Sequence, residues 1–218
     1  MGVSVDMSAS HSVSASLPRL LRQRLSALML ATSLGLAAPV AMAQSLPPPD
    51  IGGRSWFLFD VSTNTVLYSQ APDERVEPAS LTKLMTAYVV FEALRDGTLN
   101  LDTRPPVSQA AYKAIGSRMF VDPRKPATVD ELLHGLIIQS GNDAAIILAE
   151  AVSGSEEAFA QQMNAEARRI GMKNSHFVNA SGLPAPEHHS TARDMALLAT
   201  RIIKEFPQYY RLYSEREY

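Results

Sequence analysis

The sequence predicts an α/β chain in which a short antiparallel hairpin precedes a mostly helical region. Two short runs rich in aromatic and β-branched residues, 55–60 and 65–68, are typical of strands, and the turn-prone residues 62–64 between them favour a hairpin. From residue 78 onward, apolar residues instead recur at spacings of three and four, which is typical of helices. The chain contains no cysteine, so packing rather than disulfide bonds must stabilise it.

Residues 1–43 are predicted to be a signal peptide rather than part of the fold. Three arginines between residues 19 and 24 form a basic region, 25–40 is mostly apolar, and Ala41-Met42-Ala43 matches an A-x-A cleavage site. We therefore expect export to the periplasm or to the outer face of the cytoplasmic membrane. An uncleaved anchor is the alternative, but the apolar run is short and rich in Ala, Ser and Gly for a membrane span.

Residues 44–54 are predicted to form a linker and residues 55–218 a single domain. The formal net charge of −2 is mildly acidic, and no basic stripe of the kind that nucleic acid requires is visible. His188 and His189 lie in a predicted loop and His134 on a helix predicted to be buried, where we expect a hydrogen-bonded core residue. None of the five histidines has the spacing of metal ligands, so no metal site is expected.

The helix predicted over residues 78–94 is the most strongly patterned element and is expected to be buried on most of its circumference. Ser80 and Lys83 lie at its start, three residues apart and therefore on one face. A desolvated lysine loses its preference for the charged form, so Lys83 could take the proton of Ser80 and make it a nucleophile. The alternative is a helix N-cap serine followed by an ordinary surface lysine.

Residues 139–143 form a polar break between two apolar helical runs. The first run, predicted over 128–138, opens with a capping box from Thr128 to Glu131, and the second covers 144–152. Ser140 and Asn142 are thus displayed on a turn whose position the core determines. The alternative is an ordinary helix-to-helix turn, because a serine and an asparagine at the same spacing also occur in the predicted hairpin turn.

The other helices and loops are predicted from helix-capping residues and from the glycines and prolines that end helices. A short helix is predicted near 109–115, within a stretch from 98 to 127 that is otherwise loop because four prolines interrupt it. Ser155 opens a helix through Ile170 that Gly171 ends. Residues 172–183 read as loop, and a last helix is predicted from 191 to 203, before Pro207.

Taken together, Ser80-Leu81-Thr82-Lys83 and Ser140-Gly141-Asn142 are the first two of the three motifs of penicillin-interacting enzymes with an active-site serine. With the flanking blocks 116–120, 138–144 and 190–195, the chain resembles the serine D-alanyl-D-alanine carboxypeptidases, which are low-molecular-mass penicillin-binding proteins. The resemblance implies a β-lactamase/DD-peptidase-like fold, in which a central antiparallel sheet carries a mostly helical subdomain.

The resemblance also implies a mechanism and a substrate. Ser80 would attack the carbonyl of the penultimate D-alanine of a peptidoglycan stem peptide, with Lys83 as its base, and water would hydrolyse the resulting ester. Ser140 would relay a proton to the leaving amine, and Asn142 would bind the substrate's backbone amide. No cofactor is implied, and β-lactams would be inhibitors. Several relatives dock on the membrane through a C-terminal segment, so a peripheral membrane contact of that kind is a further expectation.

The third motif, K-T-G, is not found in this sequence, since no lysine is followed by Thr-Gly or Ser-Gly. In the family that motif lies on a later strand of the central sheet. We therefore expect these residues to be the N-terminal portion of a longer protein, and the chain alone to be inactive and to lack the C-terminal strands.

Three other functions remain open at this point. A class A β-lactamase would carry a Glu-x-x-Leu-Asn loop, yet residues 173–183 contain no acid, and Glu187 lacks that context. A D-Ala-D-Ala endopeptidase would use the same residues as a carboxypeptidase. A non-catalytic wall-binding or scaffold protein is the alternative outside the enzymes.

Overall fold

A computed structural model describes residues 47, 48 and 50–218. The predicted signal peptide lies outside the described residues, as does part of the predicted linker, and residues 50–54 carry no helix or strand. Among the helices that the structure describes, none is long and apolar enough to cross a bilayer.

The predicted hairpin is present as two antiparallel strands, β1 (Trp56–Asp60) and β2 (Thr65–Gln70). The turn between them is organised by the Asp60 carboxylate. That carboxylate accepts hydrogen bonds from the hydroxyl groups of Ser62 (2.6 Å) and Thr63 (2.7 Å), which lower its pKa to about 2. Ser62 therefore stabilises the hairpin turn. A serine two residues before an asparagine, the spacing that Ser140 and Asn142 also have, has a purely structural part here.

The central helix, α1 (Thr82–Arg95), begins one turn later than the sequence predicted. Ala79–Leu81 forms a 3-10 turn instead, and Ala79 has a left-handed φ of +47°, so the α-helical hydrogen bonding starts only at Thr82. Eleven of the 14 residues of α1 are buried, which confirms the prediction of a helix enclosed by the core. The helix ends as predicted, with Gly97 at φ +73° just beyond it.

Six further helices follow α1. They are α2 (Gln109–Tyr112), α3 (Val129–Ile137), α4 (Asn142–Ser153), α5 (Glu156–Ile170), α6 (Ala192–Glu205) and α7 (Pro207–Tyr210), and a 3-10 turn covers Arg211–Ser214. Helices α3, α4, α5 and α6 all contact α1, so the other long helices are arranged around it. Any residue at the start of α1 is therefore held from several sides.

The predicted caps explain where these helices begin. Thr128 and Glu131 form the capping box of α3, while Ser155 and Thr191 each accept a backbone N–H at the start of α5 and α6. Gly171 ends α5 in the left-handed conformation, with φ +92°. Each such cap contributes about 1 kcal/mol of helix stability.

The prediction that His134 is a core residue is wrong, because its side chain is only partly buried. Nδ1 of His134 bonds to the backbone carbonyl of Asp130 one turn earlier (2.8 Å), and its ring stacks on Tyr218 at 4.5 Å between centroids. The apolar stripe of α3 faces the core elsewhere on the helix, so this histidine occupies the edge of that stripe.

Candidate active site

Ser80 and Lys83 lie at the junction between the 3-10 turn and α1. Ser80 is exposed, whereas Lys83, in the first turn of α1, is only 6% exposed. The Nζ atom of Lys83 lies 3.4 Å from Oγ of Ser80 and donates a second, shorter hydrogen bond of 2.7 Å to the carbonyl oxygen of Ser181. The predicted contact between the two side chains is therefore present, and it is long, as catalytic hydrogen bonds often are without substrate.

Burial lowers the pKa of the Lys83 ammonium from 10.5 to about 8. Water solvates the charged form less well here. About a tenth of the amine is therefore neutral at pH 7, far more than at the ordinary pKa of a lysine. A neutral amine beside a hydroxyl can accept its proton, and this is the property that a general base for Ser80 requires.

The lowered pKa of Lys83 predicts the pH dependence of acylation of Ser80. Below a pH of about 8 the amine is protonated and cannot accept the hydroxyl proton, so the second-order rate constant should fall about tenfold per pH unit. The measurement is the rate of covalent labelling by a fluorescent penicillin between pH 5 and 9. A rate that stays flat down to pH 6 would show that Lys83 is not the base.

Ser80, Lys83 and Ser140 line one cleft of about 220 Å³. The other residues that line it are mainly apolar, namely Leu81, Leu84, Leu136, Ile137 and Tyr213. Ser140 reaches the cleft from the turn after α3, where its own φ is +56°. The structure thus brings together three of the four site residues that the sequence predicted, from two separate parts of the chain.

Asn142 does not line that cleft. It is the first residue of α4, only 6% exposed, and its side-chain nitrogen donates to the carbonyl oxygen of Ile115 at 2.7 Å. Its backbone N–H bonds to Ser117 at the same distance. In this structure Asn142 fastens the loop around residues 115–117, and its predicted contact with a substrate amide stays a prediction.

Asp143 connects the loop at residues 116–120 to the turn at 140–142. Its carboxylate accepts the backbone N–H groups of Met119 (3.0 Å), Val121 (3.2 Å) and Ala144 (3.0 Å). A buried carboxylate that satisfies three N–H groups fixes the loop it faces, because any displacement leaves a charge without partners. These hydrogen bonds connect the loop directly to the start of α4.

Residues 177–183, which the sequence predicts only as loop, supply contacts that the sequence analysis missed. Besides the carbonyl of Ser181, the carbonyl of Ala180 accepts a hydrogen bond of 2.7 Å from the hydroxyl of Thr86. Gly182, at φ +84°, lies directly against the backbone of Ala79. The glycine at position 182 was the one feature of the sequence that could have indicated a close backbone contact here, because a backbone carbonyl is the same in every residue.

The block 190–195 braces the segment that leads to Ser80. Arg193 binds the carboxylate of Asp73 through two nitrogens, at 2.8 and 3.0 Å, and Ser190 pairs with Val76 through backbone hydrogen bonds. The carboxylate of Asp194 in turn accepts a hydrogen bond of 2.7 Å from the hydroxyl of Ser175. The position of Ser80 thus depends on residues more than a hundred positions later in the chain.

The site has the parts that nucleophilic serine chemistry requires. The exposed hydroxyl of Ser80 lies beside the desolvated amine of Lys83, and Ser140 lines the same small cleft. Within the described residues, no group of three or more histidine, aspartate or glutamate side chains is arranged to hold a metal ion.

Comparison with known proteins assigns the family. The family model described as D-alanyl-D-alanine carboxypeptidase, peptidase S11, matches residues 40–218. The D-alanyl-D-alanine carboxypeptidase DacC of Escherichia coli is 42% identical over 194 residues, which cover 85% of this chain and 48% of the relative. The chain belongs to the D-alanyl-D-alanine carboxypeptidase family S11, and the resemblance inferred from its motifs is confirmed.

Solved structures agree with that assignment. Penicillin-binding protein 5 of Haemophilus influenzae matches with a TM-score of 0.77 at 37% identity, over 79% of this chain and 51% of that one. Penicillin-binding protein D2 of Listeria monocytogenes, in an ampicillin-bound form, matches with a TM-score of 0.70 at 28% identity, over 78% and 69%. The DD-peptidase-like fold is therefore confirmed, and the chain spans about half the length of the curated relatives it matches.

Proposed function

We propose that the protein carrying this chain is a serine-type D-Ala-D-Ala carboxypeptidase, which removes the terminal D-alanine of peptidoglycan stem pentapeptides through an acyl-enzyme on Ser80. The observation that carries the proposal is the contact between the Ser80 hydroxyl and the desolvated Lys83 amine, in a cleft that Ser140 also lines. Membership of the family supports the choice of substrate.

The proposed reaction proceeds in two steps. Lys83 takes the proton of Ser80 while Oγ bonds to the carbonyl carbon of the penultimate D-alanine, and the backbone N–H of Ser80 stabilises the developing oxyanion. The bond from that carbon to the amide nitrogen then breaks. Ser140 gives its hydroxyl proton to the leaving amine of D-alanine and takes up the proton that Lys83 removed from Ser80, so the Lys83 amine is neutral again. In the second step Lys83 takes a proton from water while the water oxygen bonds to the ester carbon. The bond from that carbon to Oγ then breaks, and Lys83 returns the proton to Ser80.

A β-lactam would acylate the same hydroxyl, because its strained amide presents a carbonyl carbon to the same nucleophile. The ampicillin-bound relative supports inhibition of this kind. A β-lactamase would need an acidic residue in the cleft for rapid deacylation. Glu187 is the candidate for that part, but it is exposed and does not line the cleft. We therefore propose a long-lived penicilloyl adduct rather than rapid hydrolysis.

The site of action would be the cell wall. The pattern of residues 1–43, with a basic region, an apolar run and an A-x-A site, supports export to the periplasm or to the outer face of the cytoplasmic membrane. Peptidoglycan is the D-Ala-D-Ala substrate available there, and trimming its stem peptides would connect the enzyme to cell shape.

The proposed activity predicts release of one free D-alanine per pentapeptide that ends in D-Ala-D-Ala. The intact protein should liberate it, and Ser140→Ala should reduce the rate by about 100-fold because the leaving amine loses its proton donor. Free D-alanine is measured with a coupled oxidase assay.

Ser62→Ala is the matched control, because Ser62 belongs to the hairpin turn and has the same spacing to an asparagine as Ser140. It should leave the rate unchanged. Cleavage of cross-linked dimers without release of D-alanine would favour the endopeptidase, and neither product would favour the scaffold.

A further inference from the structure

His188 is a buried histidine that links the loop 178–188 to the start of α1. It is 5% exposed, and its Nε2 atom lies 2.8 Å from the hydroxyl oxygen of Thr82. Its other ring nitrogen, Nδ1, lies 3.1 Å from the backbone nitrogen of Val178. Thr82 itself is fully buried and stands between Ser80 and Lys83 in the sequence.

The two contacts of His188 determine its tautomer. The backbone N–H of Val178 can only donate, so Nδ1 of His188 must accept and carries no proton. In the neutral ring the proton is then on Nε2, which donates to the hydroxyl oxygen of Thr82. A protonated imidazole would present an N–H to the N–H of Val178, so the charged form does not fit this arrangement.

The bond from His188 to Thr82 is one of three that join α1 to the loop. Lys83 donates to the carbonyl of Ser181, and the hydroxyl of Thr86 donates to the carbonyl of Ala180. His188 thus bonds to Thr82, and the carbonyl of Ser181 bonds to Lys83, the next residue of α1. A shift of the loop along the helix would move the Lys83 amine away from Oγ of Ser80.

We propose that His188 is a positioning residue, which in its neutral form holds Thr82 and thereby keeps the Ser80 hydroxyl and the Lys83 amine aligned. The inference rests on the proposed function, since it assigns the part that His188 has in the acylation of Ser80. His188 itself lies behind the helix start and does not line the cleft.

The surroundings of His188 favour the neutral ring. Phe177 packs edge-on against it at 5.9 Å between centroids. Burial lowers the pKa of His188, and the nearby imidazoles of His176 and His189 lower it further. Two further ionisable side chains are close to this contact in the chain, namely Glu187, which precedes His188, and Lys83, which follows its partner Thr82.

Two neutral replacements separate positioning from plain core packing. Glutamine at 188 can place an N–H near the former Nε2 and still donate to Thr82, whereas asparagine can replace Nδ1 and accept from Val178 but is too short to reach the hydroxyl. His188→Asn should therefore slow acylation of Ser80 by a fluorescent penicillin about 10- to 100-fold, since a small misplacement of a reacting group has effects of that size. His188→Gln should stay within about threefold of the unaltered protein.

Thr82→Val tests the same bond from the other side. It should reproduce the loss in His188→Asn, and the double variant should be no slower than either single one, because both remove one interaction. Below the pKa of His188 the unaltered protein should lose rate more steeply than tenfold per pH unit, as His188 and Lys83 both gain protons. His188→Gln should show the tenfold slope of Lys83 alone. For the rate at pH 8, where His188 is neutral, His189→Gln is the control, because the Nδ1 atom of His189 bonds to the carbonyl of Glu187 rather than to α1.

These measurements use the intact protein, with the unfolding temperature of each variant recorded beside its rate. Asparagine and glutamine variants that react equally fast, or losses that multiply in the double variant, would overturn the positioning role while leaving the proposed function in place. Failure of the unaltered protein to react with penicillin would overturn the proposed function and this inference together.

Discussion

Lys83→Met is expected to slow the acylation of Ser80 by penicillin by about 10²- to 10⁴-fold while making the protein more stable. The loss of rate follows from removal of the base, since general base catalysis contributes about 10²- to 10⁴-fold. Methionine has nearly the same length and no charge, so it can occupy the apolar side of the cleft formed by Leu84 and Leu136.

The gain in stability follows from the pKa of Lys83. In the unfolded chain the pKa is near 10.5 and in the folded protein about 8, so at pH 7 the lysine is charged in both states, and the folded state carries the full penalty of burying that charge. That difference corresponds to about 3 kcal/mol, and loss of the hydrogen bond to Ser181 offsets about 1 kcal/mol of it. The expected net gain is therefore about 2 kcal/mol at pH 7.

The sign of this effect can be tested through its pH dependence. Between pH 8 and 10.5 the folded lysine loses its proton before the unfolded one, so the free energy of unfolding of the unaltered protein should rise across this window. Lys83→Met lacks that rise. Ser80→Ala is the control, because it removes acylation entirely and leaves the lysine buried. A Lys83→Met variant that unfolds more easily at pH 7 would contradict the argument.

Much of this fold could be predicted from the sequence, because its signals are local. The apolar spacing of α1, the capping box at Thr128 and the glycine after α5 each depend on residues within a few positions. The contact of Ser80 with Lys83 was predictable for the same reason, since one helical turn brings them together.

The remaining parts of the site depend on contacts between distant parts of the chain. The contact of Lys83 with Ser181 could not be predicted, because every residue has a backbone carbonyl. The contact of His188 with Thr82 could not be predicted either, because the two residues are 106 positions apart. The start of α1 was misplaced because the left-handed φ of Ala79 is imposed by its neighbours rather than by its own side chain. Asn142 was assigned to substrate on the motif alone, while in the structure its amide fastens the loop at Ile115.

Gly182→Ala adds a single methyl group and is expected to displace the segment that carries Ser80. Gly182 has φ +84°, which an L-residue adopts at a cost of about 1 to 2 kcal/mol, and a Cβ there would overlap the carbonyl oxygen of Ala79. That atom belongs to backbone, so it cannot rotate away as a flexible side chain could. The 3-10 turn that carries Ser80 must move instead, and we expect acylation to fall by at least about 100-fold.

Gly154→Ala separates the steric effect from the conformational one. Gly154 follows the last residue of α4 and has nearly the same φ, +80°, yet a Cβ there meets nothing within 4 Å. It should therefore lose only about 1 kcal/mol of stability, with an unchanged rate of labelling by fluorescent penicillin. If the two alanine variants lose rate equally, the contact between Gly182 and Ala79 does not position Ser80. A loss confined to Gly182→Ala would show that the nucleophile is held in place by a loop a hundred residues further along the chain.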